Sequence, residues 1–382
     1  MRIAHAVAAL TKGGAEKVVV DLANEATRRG HDVHVIAGFA ADPALISHRL
    51  DPAIMLEHVA PTDGDKRGAY LGLPGWLWRH RQWLDGFDVI HCHLTHAAVL
   101  GSLTSAMQRM RRRCGPAIVE TFHGVGMPIR PRQRLIASGL ARGRDGFALM
   151  ARDAFWDNFL ASHPDIPSAV IPNGIAADPP ASVDAARAWR KSMGISDGKR
   201  VVGTIGRMRA ERQPMLIVDT FAQIAEQDSE THFVMGGDGP LLDEVRSAIA
   251  QRGLADRVAL PGLVVDPSVV LANLDLYLTM NVGPVTGLAG LEAVFAGVPS
   301  VAIQMQSDYG DGAADWIWSD KAASQVAGES LRLLASSSDR AALADRQRAY
   351  VDTHFSVGRA QDEYEALYAR AIAKRSGNRE GR

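Results

Sequence analysis

Short apolar runs alternate with longer stretches of helical spacing along most of the chain. Residues 3–7 read as a buried strand, and Gly13 and Gly14 follow as a tight turn. Ala15, Val18, Val19, Leu22, Ala23 and Ala26 then make one apolar helical face, Gly30 stops it, and residues 33–37 are the next strand. Trp76, Leu77, His80 and Leu84 predict a helix running into a strand over 89–93. A helix over 97–107 and a strand over 118–124 come next. Two more strands, 147–150 and 169–171, are separated by a helix over 155–160. The turn Pro172-Asn173-Gly174 and the linker-like Asp178-Pro179-Pro180 end this series. Past it, strands at 201–206, 232–235, 275–278 and 301–303 alternate with a helix opened by Pro214 and another spaced by Leu288, Leu291, Val294 and Phe295. Gly297 and Pro299 end the latter. Strand, helix and strand at such spacings are βαβ units, so the sheets are parallel and the fold is doubly wound α/β.

With 382 residues, 47% of them hydrophobic and 22% charged, the chain can build two cores. The domains expected are 1–175, 176–350 and a last helix over 351–382, whose polar end from Lys374 should fray. A net charge of -1 gives no pull toward nucleic acid. Residues 1–175 hold 20 Lys and Arg against 16 Asp and Glu, which leaves 22 against 27 of the totals for the rest. The excess gathers at Arg109, Arg111, Arg112 and Arg113 and at Arg130, Arg132, Arg134, Arg142 and Arg144. Such runs read first as a solvated face and second as a contact with a membrane surface or an anionic acceptor. Two cysteines, Cys92 and Cys114, point to a reducing compartment. No apolar run nears the ~20 residues that span a bilayer. The expected location is cytoplasmic, with a peripheral contact at the inner membrane surface as the open addition.

Candidate chemistry falls at strand ends. Gly13 and Gly14 lie at a sheet's carboxyl edge, without the glycine spacing of a dinucleotide fingerprint. His91 and His93 share one strand face, but no Cys pair or acidic residue stands at a spacing that completes a tetrahedral metal site. No metal is therefore assigned. His123 ends its strand at the ligand crevice, either as a reacting group or as a structurally satisfied histidine. Arg207 offers a forked contact to phosphate, and Arg212 is a second cation or a surface ion pair. Gly237 sits in the turn Gly236-Gly237-Asp238-Gly239-Pro240, where backbone can approach a ligand. Around Thr286, Gly287, Leu288 and Ala289 the first N–H groups of a helix can hold a phosphate, each contact being worth about 0.3–1 kcal/mol. One turn on, Glu292 is a carboxylate in an apolar helix, suited to the paired hydroxyls of a ribose.

The stretch from Gly283 to Pro299, with Glu292-Ala293 and Gly297-Val298-Pro299, resembles the signature of the GT4 family of retaining glycosyltransferases. So do Gly13-Gly14-Ala15-Glu16-Lys17, the segment from Asp88 to His93, Thr121-Phe122-His123-Gly124, Pro172-Asn173-Gly174, Gly206-Arg207 and Gly236 to Pro240. The resemblance implies a GT-B fold, two Rossmann-like domains facing a central cleft. The donor nucleotide would lie on the C-terminal domain and the acceptor on the N-terminal one, with the final helix crossing back. It implies a hexose-type sugar moved with retention from a nucleotide diphosphate sugar to a glycan or lipid-linked glycan, in polysaccharide or lipopolysaccharide assembly. No cofactor is implied. His123 would lie beside the reacting sugar, with Arg207 and Arg212 on the leaving diphosphate in place of a metal. Three positions depart from the pattern. Arg212 replaces a lysine, Ala176 an aspartate, and Pro284 the first of two glutamates, so contacts to the donor's sugar hydroxyls must come from elsewhere, such as Thr286 or Asn281. A nucleotide-sugar 2-epimerase of the same fold and an inactive glycan- or partner-binding subunit are the alternatives.

Overall fold

The computed structural model describes residues 1–11, 13–43, 49–60, 66–111, 115–124, 130–279, 287–302 and 322–380. The chain divides into two compact units, Met1–Ala176 with Phe355–Arg382, and Ala177–His354. The first contains seven parallel strands: β1 (Arg2–Leu10), β2 (Asp32–Ala41), β3 (Met55–His58), β4 (Val89–His93), β5 (Ala117–Phe122), β6 (Gly146–Leu149) and β7 (Ser168–Val170). Their order is β3-β2-β1-β4-β5-β6-β7. The chain winds one way from β1 and then the other, so the switch point lies between β1 and β4, the place at which open parallel sheets bind ligands past the strands' carboxyl ends. Unbroken apolar runs suit this placement, since a central parallel strand is covered on both faces. In β1, Ile3, Ala4, Ala6 and Val7 are all buried.

The helix Val357–Glu380 packs against β5, β6, β7 and the helix Gly14–Arg28, burying Tyr364, Leu367, Tyr368 and Ala371. Its polar end is helical as far as Glu380, where fraying from Lys374 is expected from composition. Lys374 Nζ donates to the Arg144 carbonyl at 3.1 Å and pairs with Asp165 at 3.2 Å, and Arg375 donates to Gln108. Those bonds hold the first turn of the segment. The arginine run divides as well, against the reading of one solvated face. Arg144 is buried, with its guanidinium on Glu120 at 2.6 Å, the Ala98 carbonyl at 2.6 Å and Ser102 at 3.0 Å, because a buried charge persists only when paired. Arg111 pairs with Asp85 at 2.9 Å. Arg130, Arg132 and Arg134 are exposed, at the start of a helix, Pro131–Ala141, that also exposes Leu135 and Ile136.

The second unit holds β8 (Arg200–Ile205), β9 (Thr231–Gly236), β10 (Val258–Ala259), β11 (Leu276–Thr279) and β12 (Ser300–Ala302), parallel in the order β10-β9-β8-β11-β12. Its switch point lies between β8 and β11. Alternation along the strands feeds two cores. Val202, Phe233, Met235, Leu276 and Leu278 meet Phe221 and Ile224 of the helix Pro214–Gln227 in one, while Val201, Val234 and Tyr277 enter the other.

Candidate functional site

In the first unit, parallel register assembles four histidines that lie far apart in sequence. His5 of β1 stands opposite His91 of β4, and His93 opposite Thr121 of β5. Side chains two residues apart share a face, so all four of these residues point the same way and His123 continues the row past β5. His5 Nδ1 lies 3.2 Å from His93 Nε2, and His93 Nδ1 lies 3.1 Å from His123 Nε2. His91 is held separately: Nδ1 at 2.7 Å from the Tyr368 hydroxyl, Nε2 at 2.7 Å from Thr121 Oγ1, which also meets the Tyr364 hydroxyl at 2.9 Å. His5, His91 and His93 are 0% exposed, and His123 is half-buried.

Burial disfavours the charged form of each ring. It lowers His5 and His123 to about 4, and it takes His91 and His93 well below the usual value, with the neighbouring histidines adding to the effect. Burial lifts the Tyr364 hydroxyl to about 12 and Tyr368 well above its ordinary value. The cluster is therefore neutral at pH 7. Among the described residues, His5, His91 and His93 are a group whose nitrogens, within 4.8 Å of one another, could converge on an ion. Both nitrogens of His91 are already committed to Tyr368 and Thr121, so closing the three around a metal would break those two bonds. The chain's one Asp-x-Asp spacing, Asp63-Gly64-Asp65, lies outside the described residues.

Gly13 caps the helix Gly14–Arg28. A Cβ on Gly13 would stand 2.2 Å from Glu16 Oε2, so the glycine leaves room for that carboxylate to fold over the helix start. Farther along, buried Lys17 and Asp21 pair at 3.2 Å, and Asp21 accepts from the Ala176 N–H at 3.0 Å.

In the second unit the loops after β8 and β9 are stitched together. Gly206 N–H donates to the Gly236 carbonyl and Met208 N–H to that of Asp238, both at 2.9 Å. Gly237 has φ +134, and a Cβ there would lie 1.8 Å from the Gly206 carbonyl oxygen. Close backbone packing thus requires this glycine, independently of any ligand. Arg207 is exposed beside the seam, and Arg212 is half-buried at the end of the short 3-10 turn Ala210–Arg212.

Tyr277 of β11 joins these pieces. Its hydroxyl donates to the Ile205 carbonyl at 2.9 Å and accepts from the Ile205 N–H at 3.0 Å, fixing the end of β8. Burial pushes the phenol to about 12; Glu292 adds to the rise and Arg212 opposes it. The cation and the carboxylate therefore both act on one buried ring. Burial lowers Arg212 itself, with Tyr277 and Glu211 working against that.

The helix Leu288–Phe295 starts over the end of β11. A Cβ on Gly290 would come within 2.9 Å of Thr279 Oγ1, itself 2.7 Å from Ser300 Oγ. Gly290 and Leu291 return their N–H groups to the Gly287 carbonyl at 3.0 and 3.4 Å. The N–H groups of Leu288 and Ala289 have no partner among the described residues, and these are the groups that can take an anion. Thr286, Pro284 and Asn281 lie outside the described residues.

The structure thus brings Arg212, Glu292, Leu288 and Ala289 to the carboxyl edge of β8 and β11, with Arg207 and Gly237 on the adjoining loops. In the other unit it places His123, Gly13 and Gly14 at the carboxyl edge of β5 and β1. Sequence reasoning missed His5, Tyr277 and the Tyr364–Tyr368 pair as parts of these sites. A polar residue inside an otherwise apolar strand was the available signal for His5.

Two parallel doubly wound units, each with its polar groups at the switch point, make a GT-B architecture. The chain belongs to the GT4-type, group 1 glycosyltransferases: residues 12–178 match Glycosyltransferase Family 4 and residues 199–346 match Glycosyl transferases group 1. It is similar to the alpha-monoglucosyldiacylglycerol synthase of Streptococcus pneumoniae (strain ATCC BAA-255 / R6), 23% identical over 258 residues, 62% of this chain and 56% of that protein. It is also similar to the 2-deoxystreptamine glucosyltransferase of Streptomyces kanamyceticus, 31% identical over 140 residues, 36% of this chain and 35% of that one. Against these curated relatives the chain spans about half of the length or less. Its fold is like that of Anabaena Alr3699/HepE, solved in complex with UDP and glucose: TM-score 0.76 and 19% identity over 97% of this chain and 99% of that one. No described helix is long and apolar enough to cross a membrane.

Proposed function

We propose that this chain transfers a hexose-type sugar, with retention, from a nucleotide diphosphate sugar to a glycan or lipid-linked glycan, without a metal ion. The observation that carries the reading is the grouping in the second unit of Arg212, Glu292 and the N–H groups of Leu288 and Ala289, which have no partner among the described residues, around the ends of β8 and β11. A carboxylate and a set of cationic and N–H donors there match the two halves of a nucleoside diphosphate, ribose and phosphates. Arg207, Arg212 and the helix start would stabilise charge on the leaving diphosphate as the glycosidic bond breaks, which is where preorganised donors act most strongly. Glu292 would accept from the ribose hydroxyls. His123, neutral at pH 7, would orient the transferred sugar from the N-terminal unit, which serves the acceptor. The names of the relatives, a glucosyltransferase and a monoglucosyldiacylglycerol synthase, support transfer over epimerisation.

The exposed Arg130, Arg132 and Arg134 beside exposed Leu135 and Ile136 fit a lipid surface carrying such an acceptor, since basic and apolar groups together favour anionic membranes. UDP-glucose is the first donor to test, because the similar HepE structure holds UDP and glucose. The protein should release UDP from a UDP-sugar only when an acceptor is added. Steady conversion of the sugar with no UDP released would identify an epimerase instead and refute the reading.

A further inference from the structure

Three neutral rings joined by two N···N contacts can share protons in only two ways. Each contact needs one proton, so the tautomer of any ring dictates the next. Either His5, His93 and His123 all carry the proton on Nδ1, each donating outward along the row, or all carry it on Nε2, each donating inward. Among the described residues nothing else competes for these atoms, because both nitrogens of His91 are taken by Tyr368 and Thr121. The two states differ at the ends. His5 Nε2 is buried without a partner among the described residues. In the inward state it would be an N–H with no acceptor, the rarest kind of buried polar defect, while in the outward state it is only a bare lone pair. At the other end His123 Nδ1 makes no hydrogen bond among the described residues.

We propose that His5 and His93 are positioning residues that fix His123 as its Nδ1–H tautomer, so that His123 presents a donor, and not an acceptor, to an oxygen of the bound sugar. The part concerning the sugar rests on the transfer reading above; the tautomer itself does not. A donor at this point selects an oxygen that accepts, such as a hydroxyl already donating elsewhere. The low values of His5 and His123, about 4, keep both rings neutral over the working range, as the relay requires. His5 lies at the blind end of the row, and its only role in the relay is to hand its tautomer on through His93.

The test is long-range proton–nitrogen NMR on the full chain with nitrogen-labelled histidines, His123 being assigned from the signals lost in His123→Gln. At pH 7.5 and without substrate, the Nδ1–H form of His123 should outweigh Nε2–H by about tenfold or more, the ratio set by an orphaned buried donor. In His5→Leu the donor to His93 is gone and the preference should fall several-fold, whereas His5→Asn, whose amide N–H stands near the place of Nδ1, should restore it. A His123 signal dominated by Nε2–H in the natural protein would overturn the proposal. So would equal preference in the Leu and Asn variants, or stoichiometric zinc on elemental analysis of the purified protein, which would make His5 and His93 ligands. The transfer reading fails separately. It falls if no UDP is released when an acceptor is added, whatever tautomer the spectrum shows, whereas His123→Ala with unchanged acceptor-dependent turnover would overturn the donor role of His123 at the sugar.

Discussion

Acid should destabilise the first unit well above the pH at which its carboxylates titrate. His5 titrates near 6.5 when unfolded and at about 4 when folded, because the ring is buried without a counter-charge. Between those values the unfolded chain binds a proton that the folded one refuses, so stability falls as pH falls through this window. At about 1.4 kcal/mol per pH unit, His5 alone removes about 2 kcal/mol by pH 5. His91 and His93, also lowered by burial, act in the same direction. The groups that face the three rings are Thr121, His123, Tyr364 and Tyr368, and no carboxylate is hydrogen-bonded to them among the described residues, so nothing there offsets the cost of charging. A domain with about 5–15 kcal/mol in hand loses a large share of it. Urea unfolding followed by tryptophan fluorescence at pH 7.5, 6 and 5 reads this out, because Trp76, Trp78, Trp83 and Trp156 lie in the first unit. The first-unit transition should move to lower urea at each step, and His5→Leu should flatten the dependence by about 2 kcal/mol between pH 7.5 and 5. An unchanged midpoint at pH 5, or a His5→Leu variant as acid-sensitive as the natural protein, would refute the assignment of a buried neutral His5.

Glu292→Gln should weaken UDP binding by about 1.5–3 kcal/mol in calorimetry with the fold intact, since charge-assisted bonds to the ribose are lost; unaltered binding would make Glu292 structural. Gly237→Ala should lower the melting temperature through a cost of about 1–3 kcal/mol, because the backbone at φ +134 strains a side chain that also meets the Gly206 carbonyl. Full stability in that variant would mean the loop seam yields freely. Turnover should survive EDTA; activity lost on chelation and regained with Mg²⁺ would put a cation on the diphosphate and bring Asp63 and Asp65 into question. Replacing Arg132 and Arg134 by Glu should abolish co-sedimentation with anionic vesicles at low salt while leaving UDP binding alone, and equal sedimentation of both forms would remove the membrane surface from the scheme.

How much of this was legible in the sequence depended on how far each feature reaches along the chain. The fold was legible because a doubly wound sheet repeats one local unit, an apolar run followed by a helical face, and glycine or proline marks each change. The start of the helix Leu288–Phe295 is local too, and so are Glu292 one turn on and the stop at Gly297, whose φ of +80 suits a residue without Cβ. Short elements with few apolar positions were passed over, among them β3, β10 and the helix Val183–Ser192, which buries none of its residues. Arg144 looked like one more surface cation because its partners, Glu120 and the Ala98 carbonyl, stand 24 and 46 residues away.

The histidine row shows the same limit more sharply. From spacing alone His91 and His93 lacked the Cys pair or acidic residue that completes a tetrahedral metal site, and nothing local marked a third nitrogen beside them. The third nitrogen was on β1, 88 residues from His93, and only the parallel register that sets His5 opposite His91 brings it there. Register is a property of strand order, and strand order follows from the switch point between β1 and β4. Strands β1, β4 and β5 are adjacent for that reason alone, so three rings that no motif links become one hydrogen-bonded line ending at His123. The same topology puts Tyr277 of β11 against Ile205 of β8, which are neighbours only because the second sheet also reverses between them. In both units the residues recognisable one at a time stand at the carboxyl edge. The residues that hold them in place sit one or two positions back along the central strands, where burial makes a polar side chain look like part of the core.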